Sequence, residues 1–212
     1  PGQFNKPWGV AFDSRNQRII VSDNWNHRMQ LFDKSMEHFF SFGSFGDTPG
    51  QFNSPSGVCL QPATNNIIFS DTGNHRIQVF SNPDGDDDCK EFQSLYIVGG
   101  PQSSQDPGKF YRPMGVTCNN RGHIIAAEYN NHRVQILDEK GRFIRLMGTT
   151  GQRGSANHQF HFPYDVCVDR NNHNQILVAD NCNKRISVYS GDGSQFIREI
   201  PLGDYPTCLT ID

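Results

Sequence analysis

Residues 23–28 read Asp-Asn-Trp-Asn-His-Arg, and an acidic residue followed three positions later by Asn-His-Arg returns at residues 71–76 and 128–133. A fourth, altered copy at residues 180–185 has Lys184 in place of the histidine. Each copy is followed by a short run of β-branched or apolar residues. Copies spaced by roughly 50 residues indicate a repeat architecture, in which each unit forms one small element of structure.

A second motif, Phe-x-x-Pro-x-Gly, begins each repeating unit. It occurs at residues 4–9, 52–57 and 110–115, and residues 160–165 match it except that Asp165 replaces the glycine. A fifth start lies at Tyr205–Thr207. Short apolar runs alternate with turn-forming residues after each start, so each unit is predicted to contain four short strands. The predicted units span residues 1–48, 49–106, 107–156, 157–203 and, in part, 204–212.

Four strands per unit favour the blade of a β-propeller over a solenoid, whose repeats are usually shorter. The chain is therefore predicted to be all-β and to form a single propeller domain. It contains four blades and the start of a fifth, and it begins within a motif at Pro1. An open ring would expose strand edges and apolar faces. We therefore expect the missing blades to come from the rest of a longer chain or from another chain.

The apolar runs and the cysteines of the sequence bear on membrane association, zinc binding and disulfide formation. None of the apolar runs approaches the ~20 residues that a membrane span needs. Neither a membrane association nor a signal peptide is therefore expected. The six cysteines lack a Cys-x-x-Cys zinc spacing. Cys59 and Cys167 occupy the same repeat position, and Cys118 is one position later. Because equivalent positions on neighbouring units would not generally pair, the cysteines are interpreted as small buried apolar residues in a reducing compartment.

The recurring polar residues are interpreted as scaffold, because a catalytic site is normally built once per domain. These residues are Asp23, His27, Asp71, His75, Glu128, His132 and Asp180. The carboxylate can accept backbone N–H bonds across its loop, and the arginine can pair with it or lie exposed. A nucleophilic triad at Ser22, Asp23 and His27, or a zinc site made of three motif histidines, remains a less favoured alternative. No cofactor or metal is expected.

Together the two motifs resemble the NHL repeat over nearly the whole chain. The resemblance implies a six-bladed propeller. It also implies a function, since NHL domains at the C-terminus of tripartite-motif proteins bind RNA and repress the bound messages. Their N-terminal RING domain confers ubiquitin-ligase activity, and nothing in this chain is RING-like. An amidating lyase built on NHL-like repeats uses a metal at its axis, so the resemblance also permits an enzyme.

Both motif loops are expected at one end of the propeller, which we call the motif face. Variable positions in these loops hold aromatic and basic residues, the combination that binds single-stranded nucleic acid by stacking and phosphate contacts. The residues predicted to stack on bases are Trp8, Trp25, Tyr129 and Tyr164. The residues predicted to hold phosphates are Lys6, Arg28, Arg76, Arg112, Arg133, Lys184 and Arg185. An acidic block at residues 84–88 is predicted on the opposite face, which would separate the charges despite a net charge of −3.

Three functional hypotheses follow. The first is a cytoplasmic RNA-binding domain of a post-transcriptional regulator that binds single-stranded or stem-loop elements of messenger RNA. The second is a protein-interaction propeller that recruits a partner or a ubiquitin-ligase substrate through the same aromatic face. The third is a metal-dependent, lyase-like enzyme. On the first two hypotheses the domain itself is not an enzyme.

Overall fold

The computed structural model describes residues 2–83 and 92–211. In this part of the chain, strands form four antiparallel sheets of four strands each, and sequential strands are neighbours in every sheet. The first blade contains β1 (Pro7–Asp13), β2 (Arg18–Asp23), β3 (Arg28–Phe32) and β4 (His38–Phe42). The second contains β5 (Pro55–Leu60), β6 (Ile67–Asp71), β7 (Arg76–Phe80) and β8 (Ser94–Gly99). The third contains β9 (Pro113–Cys118), β10 (Ile124–Glu128), β11 (Arg133–Leu137) and β12 (Phe143–Met147). The fourth contains β13 (Pro163–Asp169), β14 (Gln175–Asp180), β15 (Arg185–Tyr189) and β16 (Phe196–Pro201). The prediction of an all-β propeller with four-stranded blades is confirmed.

Strand register brings the two motifs together at one end of each blade. The motif proline of blade one pairs with Asp23 at the end of β2, and Asp23 also pairs with Arg28 at the start of β3. The other blades repeat this register. The loop between the second and third strands is a 3-10 turn in blades one, two and four. The motif face predicted from the sequence therefore exists as a shared end of the sheets.

The four first strands, β1, β5, β9 and β13, contribute to a central channel with a volume of roughly 660 Å³. The motif glycines allow these strands to approach one another. A Cβ atom at Gly57 would lie 2.6 Å from the Met114 carbonyl oxygen of the next blade. The motif phenylalanines fill the core between blades, and Phe52, Phe110 and Phe160 are fully buried.

The free side of the first blade shows what a neighbouring blade would cover. Val10 is 67% exposed, whereas the equivalent Val58 of blade two is 8% exposed. Likewise, Phe4 is 43% exposed although its counterparts are fully buried. At the other end, residues 204–211 follow blade four and form no strand, and the Leu209 amide donates to Asp165 Oδ2 at 2.8 Å. The described ring is therefore open at blade one.

The structure bears only in part on two sequence predictions, the position of the acidic block and the absence of a membrane span. The acidic block at residues 84–88 lies outside the described residues, so its predicted place on the opposite face stays a prediction. Within residues 2–83 and 92–211, no helix is long and apolar enough to cross a membrane.

Candidate functional site

The acidic residue of each motif is the centre of a buried hydrogen-bond network. Asp71 accepts the Asn53 backbone N–H at 2.7 Å, the Asn74 amide at 2.9 Å and the Gln78 amide at 3.0 Å. Asp23, Glu128 and Asp180 accept the equivalent backbone N–H and asparagine bonds in their own blades. These contacts tie the Pro-x-Gly loop to the second motif loop, in agreement with the interpretation of the carboxylates as scaffold.

The predicted phosphate contacts of the motif arginines are wrong for three of the four. Arg76, Arg133 and Arg185 are buried and pair with the carboxylates of Asp71, Glu128 and Asp180. Their remaining N–H groups donate to backbone carbonyls of the segment before the Pro-x-Gly loop. Since a buried guanidinium with these partners cannot reach a ligand, these arginines hold the blade together.

Arg28 occupies the same position in the open first blade. Its guanidinium bonds to Asp23 at 2.9 Å and to the Gln3 carbonyl oxygen at 2.8 Å, although a quarter of its side chain is exposed. These two contacts are equivalent to part of the network around each buried arginine, so we also assign Arg28 to the scaffold rather than to phosphate binding.

The burial of these networks shifts the carboxyl pKa values. Burial raises the pKa of Asp71, Glu128 and Asp180, and the arginine and hydrogen-bond donors oppose that shift. At Asp23 burial acts in the same direction but is outweighed by hydrogen bonds from Asn5, Asn26 and Arg28, so the pKa is lowered. In blades two, three and four, donors from the backbone, the motif asparagine and the arginine together oppose the effect of burial on these carboxylates.

Each motif histidine joins its blade to the next one. Nδ1 of His27, His75 and His132 accepts a backbone N–H from Ser54, Arg112 and Phe162, at 3.0, 3.2 and 3.1 Å. The histidines adopt left-handed backbone angles, with φ of 53–55°, and so do the residues that donate to them. This role agrees with the scaffold interpretation. It also directs the three rings to separate blade boundaries, so they do not converge on the axis.

We expect the protein to lose stability as the pH falls below about 6.5, because protonation of His75 and His132 would abolish their Nδ1 acceptors. Burial and nearby positive charge lower the pKa of His75 and His132 below the ordinary value of 6.5. The unfolded chain then binds more protons than the folded one in this range, so folding weakens with acid. Thermal melts at several pH values measure the effect. The double variant His75→Asn/His132→Asn should show a smaller acid-induced drop, and an unchanged drop would contradict the explanation.

The residue after each acidic residue shows where the third blade departs from the repeat. Asn24, Thr72 and Asn181 donate to the carbonyl oxygen of the next blade's motif proline, at 2.8, 2.6 and 2.9 Å. In blade three this position is Tyr129, and no equivalent hydrogen bond to the Pro163 carbonyl oxygen is present among the described residues. The Tyr129 ring instead stacks on Phe162, with ring centroids 4.4 Å apart. A repeated scaffold contact has been replaced by an aromatic one at this boundary.

Tyr129 belongs to an aromatic cluster beside the channel, which we define as Trp8, Tyr129, Phe162 and Tyr164. The Tyr129 and Tyr164 rings are nearly perpendicular at 5.5 Å, and Trp8 of blade one contacts Tyr164 of blade four at 5.3 Å. Trp8 also lines the channel and is 42% exposed. Flat, partly exposed rings of this kind offer surfaces on which a planar group can stack.

Three predicted cations lie exposed on the motif face, namely Lys6, Arg112 and Lys184. Lys6 Nζ lies 3.4 Å above the ring of Trp25, and Lys184 Nζ lies 4.6 Å above Tyr205. Arg112 is close enough to oppose the rise in the pKa of Tyr164 that burial and Tyr129 cause. Tyr164 therefore keeps its hydroxyl proton at neutral pH and lies beside a positive charge.

Two further aromatic rings of blade one and the segment after it are exposed. Trp25 is 53% exposed and Phe45 is 66% exposed, and the Phe45 ring packs edge-on against His27 at 5.0 Å. The structure thus leaves seven of the predicted ligand-binding residues available on the motif face: Lys6, Trp8, Trp25, Arg112, Tyr129, Tyr164 and Lys184.

Sequence reasoning missed Phe162 and Phe45. Phe162 precedes the motif proline, where the other blades have Lys6, Ser54 and Arg112. All four residues adopt left-handed backbone angles, with φ of 48–55°. An aromatic residue at a position that otherwise carries polar groups was the available signal. Phe45 lies seven positions before a motif phenylalanine, outside either motif, so no repeated pattern marked it.

The geometry does not support the two alternatives that gave the motif residues a chemical role, namely a nucleophilic triad and a zinc site. The Ser22 hydroxyl donates to the Ser56 carbonyl oxygen and accepts the Gly9 N–H at 2.7 Å, so it is not paired with His27. Among the described residues, no group of three or more His, Cys, Asp or Glu side chains is arranged to hold a metal ion.

Four-stranded blades around a channel, with two recurring loops at one end, define a β-propeller built from sequence repeats. A family model for the NHL repeat matches residues 4–32, 52–80 and 110–137. The chain therefore contains NHL repeats in its first three blades, within a β-propeller fold. The fourth copy, with Lys184 in place of histidine, lies outside the match.

Three curated relatives share parts of the sequence. Protein brain tumor of Drosophila melanogaster is 31% identical over 156 residues, covering 69% of this chain and 13% of the relative. B-box type zinc finger protein ncl-1 of Caenorhabditis elegans is 50% identical over 36 residues, covering 17% and 4%. A probable peptidyl-alpha-hydroxyglycine alpha-amidating lyase, pgal-1, of the same organism is 34% identical over 89 residues, covering 41% and 25%. The chain thus spans a quarter or less of each relative.

Solved structures agree on the fold. A structure of a nidogen/laminin complex superposes with a TM-score of 0.69 at 15% identity, covering 94% of this chain and 66% of that chain. A streptogramin B lyase superposes with a TM-score of 0.63 at 17% identity, covering 93% and 55%. At these identities the likeness shows a shared propeller fold and carries no statement about activity.

Proposed function

We propose that this propeller binds single-stranded or stem-loop RNA on its motif face, as a domain of a cytoplasmic post-transcriptional regulator. The observation that carries the proposal is the aromatic cluster at blades three and four, where a repeated scaffold contact is replaced by rings beside an exposed arginine. Aromatic rings stack on unpaired bases and nearby cations contact the phosphates. The resemblance to NHL domains of tripartite-motif proteins supports the same function.

Within this proposal the aromatic cluster and the three exposed cations have separate roles. Tyr129, Tyr164, Phe162 and Trp8 supply rings for bases near the channel. Arg112 holds a phosphate beside them, while Lys6 and Lys184 extend the positive surface around the rim. The site needs no cofactor, and the domain acts by binding rather than by catalysis. Any ubiquitin-ligase activity belongs to other parts of a longer protein.

Titration of a uridine-rich single strand and of a small stem-loop, followed by fluorescence anisotropy, tests the proposal. With three or four phosphate contacts, the logarithm of the affinity should fall with the logarithm of salt concentration with a slope of about −2 to −3. Arg112→Glu should weaken binding. It should also make this slope less steep, by the amount that about one phosphate contact contributes. The matched control is Arg142→Glu, an exposed arginine in the turn between β11 and β12, at the opposite end of the blade.

The results separate the hypotheses. An equal loss of affinity in both charge-reversal variants would contradict a site on the motif face. Absence of binding to either RNA at low salt would overturn the proposal. The protein-interaction hypothesis would then be favoured, with the exposed Trp25 and Phe45 as its anchors.

A further inference from the structure

We propose that Cys59 and Cys118 form a redox-sensitive crosslinking site that joins blades two and three when a small peroxide enters the channel. Their Sγ atoms lie 3.7 Å apart, and both cysteines are free thiols. Cys59 is on β5 and Cys118 is on β9, the first strands of adjacent blades. The site does not depend on the proposed RNA binding.

The offset between the two positions explains why they meet. Equivalent positions on adjacent blades were not expected to pair, but Cys118 lies one residue further along its strand than Cys59. Both side chains pack in one apolar cluster at the blade boundary, together with Ile68 and Phe110. Since a disulfide has a sulfur–sulfur distance of about 2.05 Å, the two atoms need to approach by roughly 1.7 Å from their separation of 3.7 Å. Rotation of the side chains can supply much of this approach without separating the blades.

The two thiols differ in access, which sets the order of the chemistry. Cys59 is half-buried and lines the channel, whereas Cys118 is fully buried. The Cys59 sulfur attacks hydrogen peroxide, the O–O bond breaks, and a sulfenic acid and one water form. The Cys118 sulfur then attacks the Cys59 sulfur, the S–O bond breaks, and a second water leaves with the remaining thiol proton. Two thiols are oxidised to one disulfide while one peroxide is reduced to two waters.

The groups around Cys59 slow its oxidation and favour Cys118 as the thiol that reacts next. The hydrogen bond with Cys118, together with burial, raises the pKa of Cys59, and Arg170 opposes this shift. Little thiolate is therefore present at neutral pH, so the thiol resists brief exposure to oxidant. Once the sulfenic acid forms, its nearest thiol is already in contact.

Treatment of the full chain with hydrogen peroxide, followed by peptide mapping under non-reducing conditions, tests the inference. We expect a linked peptide containing Cys59 and Cys118, and a rise in Tm of about 10 °C because the link closes a long loop. A reductant should reverse both changes. Cys59→Ser should abolish both, while Cys182→Ser, which removes a half-buried thiol outside the channel lining, should leave both intact.

Other oxidation products would overturn the inference. One is conversion of Cys59 to a sulfinic acid without a linked peptide. Another is a link that involves Cys208, or Cys89, which lies outside the described residues, in preference to Cys118. If Cys59→Ser reduces the yield of folded protein, Cys118→Ala provides the same test, since its folded form should give Cys59 oxidation without a linked peptide.

Discussion

Replacing Arg133 with alanine is expected to lower the free energy of unfolding by about 3–5 kcal/mol, because it leaves a buried carboxylate without its partner. The guanidinium is fully buried and pairs with Glu128. It also donates to three backbone carbonyl oxygens between residues 105 and 109. Chemical denaturation would measure the loss directly, and Tm should fall by roughly 10 °C.

Arg112→Ala is the matched control for Arg133→Ala. Arg112 is exposed on the same face, so its loss should change stability by no more than about 0.5 kcal/mol. Arg133→Lys should remain strongly destabilising, because one ammonium group cannot reproduce the planar fork of donors. A stable Arg133→Ala protein that had lost RNA affinity would contradict the scaffold assignment and restore the original phosphate role.

The fold could be predicted because its information is local and repeated. A proline and glycine before one strand, and an acidic residue followed by Asn-His-Arg between two others, specify the same loops in each unit. Repetition shows which residues are required by the blade, since a residue such as Asp71 has the same partners as Asp180. The scaffold role of the acidic residues could therefore be inferred without coordinates.

The exposure of the arginines could not be predicted in the same way. The sequence left two states open for each one, paired with the carboxylate or exposed to solvent. The carbonyls that enclose Arg76 come from residues 25–29 positions earlier, in an irregular segment. Burial depends on how that segment folds over the motif, which is a tertiary property that motif spacing does not encode. Three predicted phosphate contacts were wrong for this reason.

The aromatic cluster could be predicted in part from the sequence. Tyr129 and Tyr164 were recognisable because they fill variable positions of fixed loops. Their contact with Phe162 depends on the left-handed backbone before the motif proline, which places that side chain against the neighbouring blade. The sequence could indicate which residues depart from the repeat, whereas only the packed blades show that these departures meet.

Tyr129→Asn is expected to weaken RNA binding by about 10- to 100-fold, since stacking on one ring contributes about 1–3 kcal/mol per base. The fold should tolerate the change. Asparagine occupies this position in blades one and four, where it donates to the carbonyl oxygen of the next motif proline. In blade three the same amide could reach Pro163, so thermal stability should stay within about 1 kcal/mol of the wild-type value. Parallel RNA titration and thermal melts measure the two effects.

The value of this variant is that it separates stacking from stability. Phe143→Ala removes an exposed aromatic ring from β12, away from the motif face, and should leave RNA affinity unchanged. If Tyr129→Asn binds RNA as tightly as the wild type while Arg112→Glu does not, the cations act without the aromatic cluster. The departure from the repeat at blade three would then have a purely structural origin, and the observation that carries the proposed function would be lost.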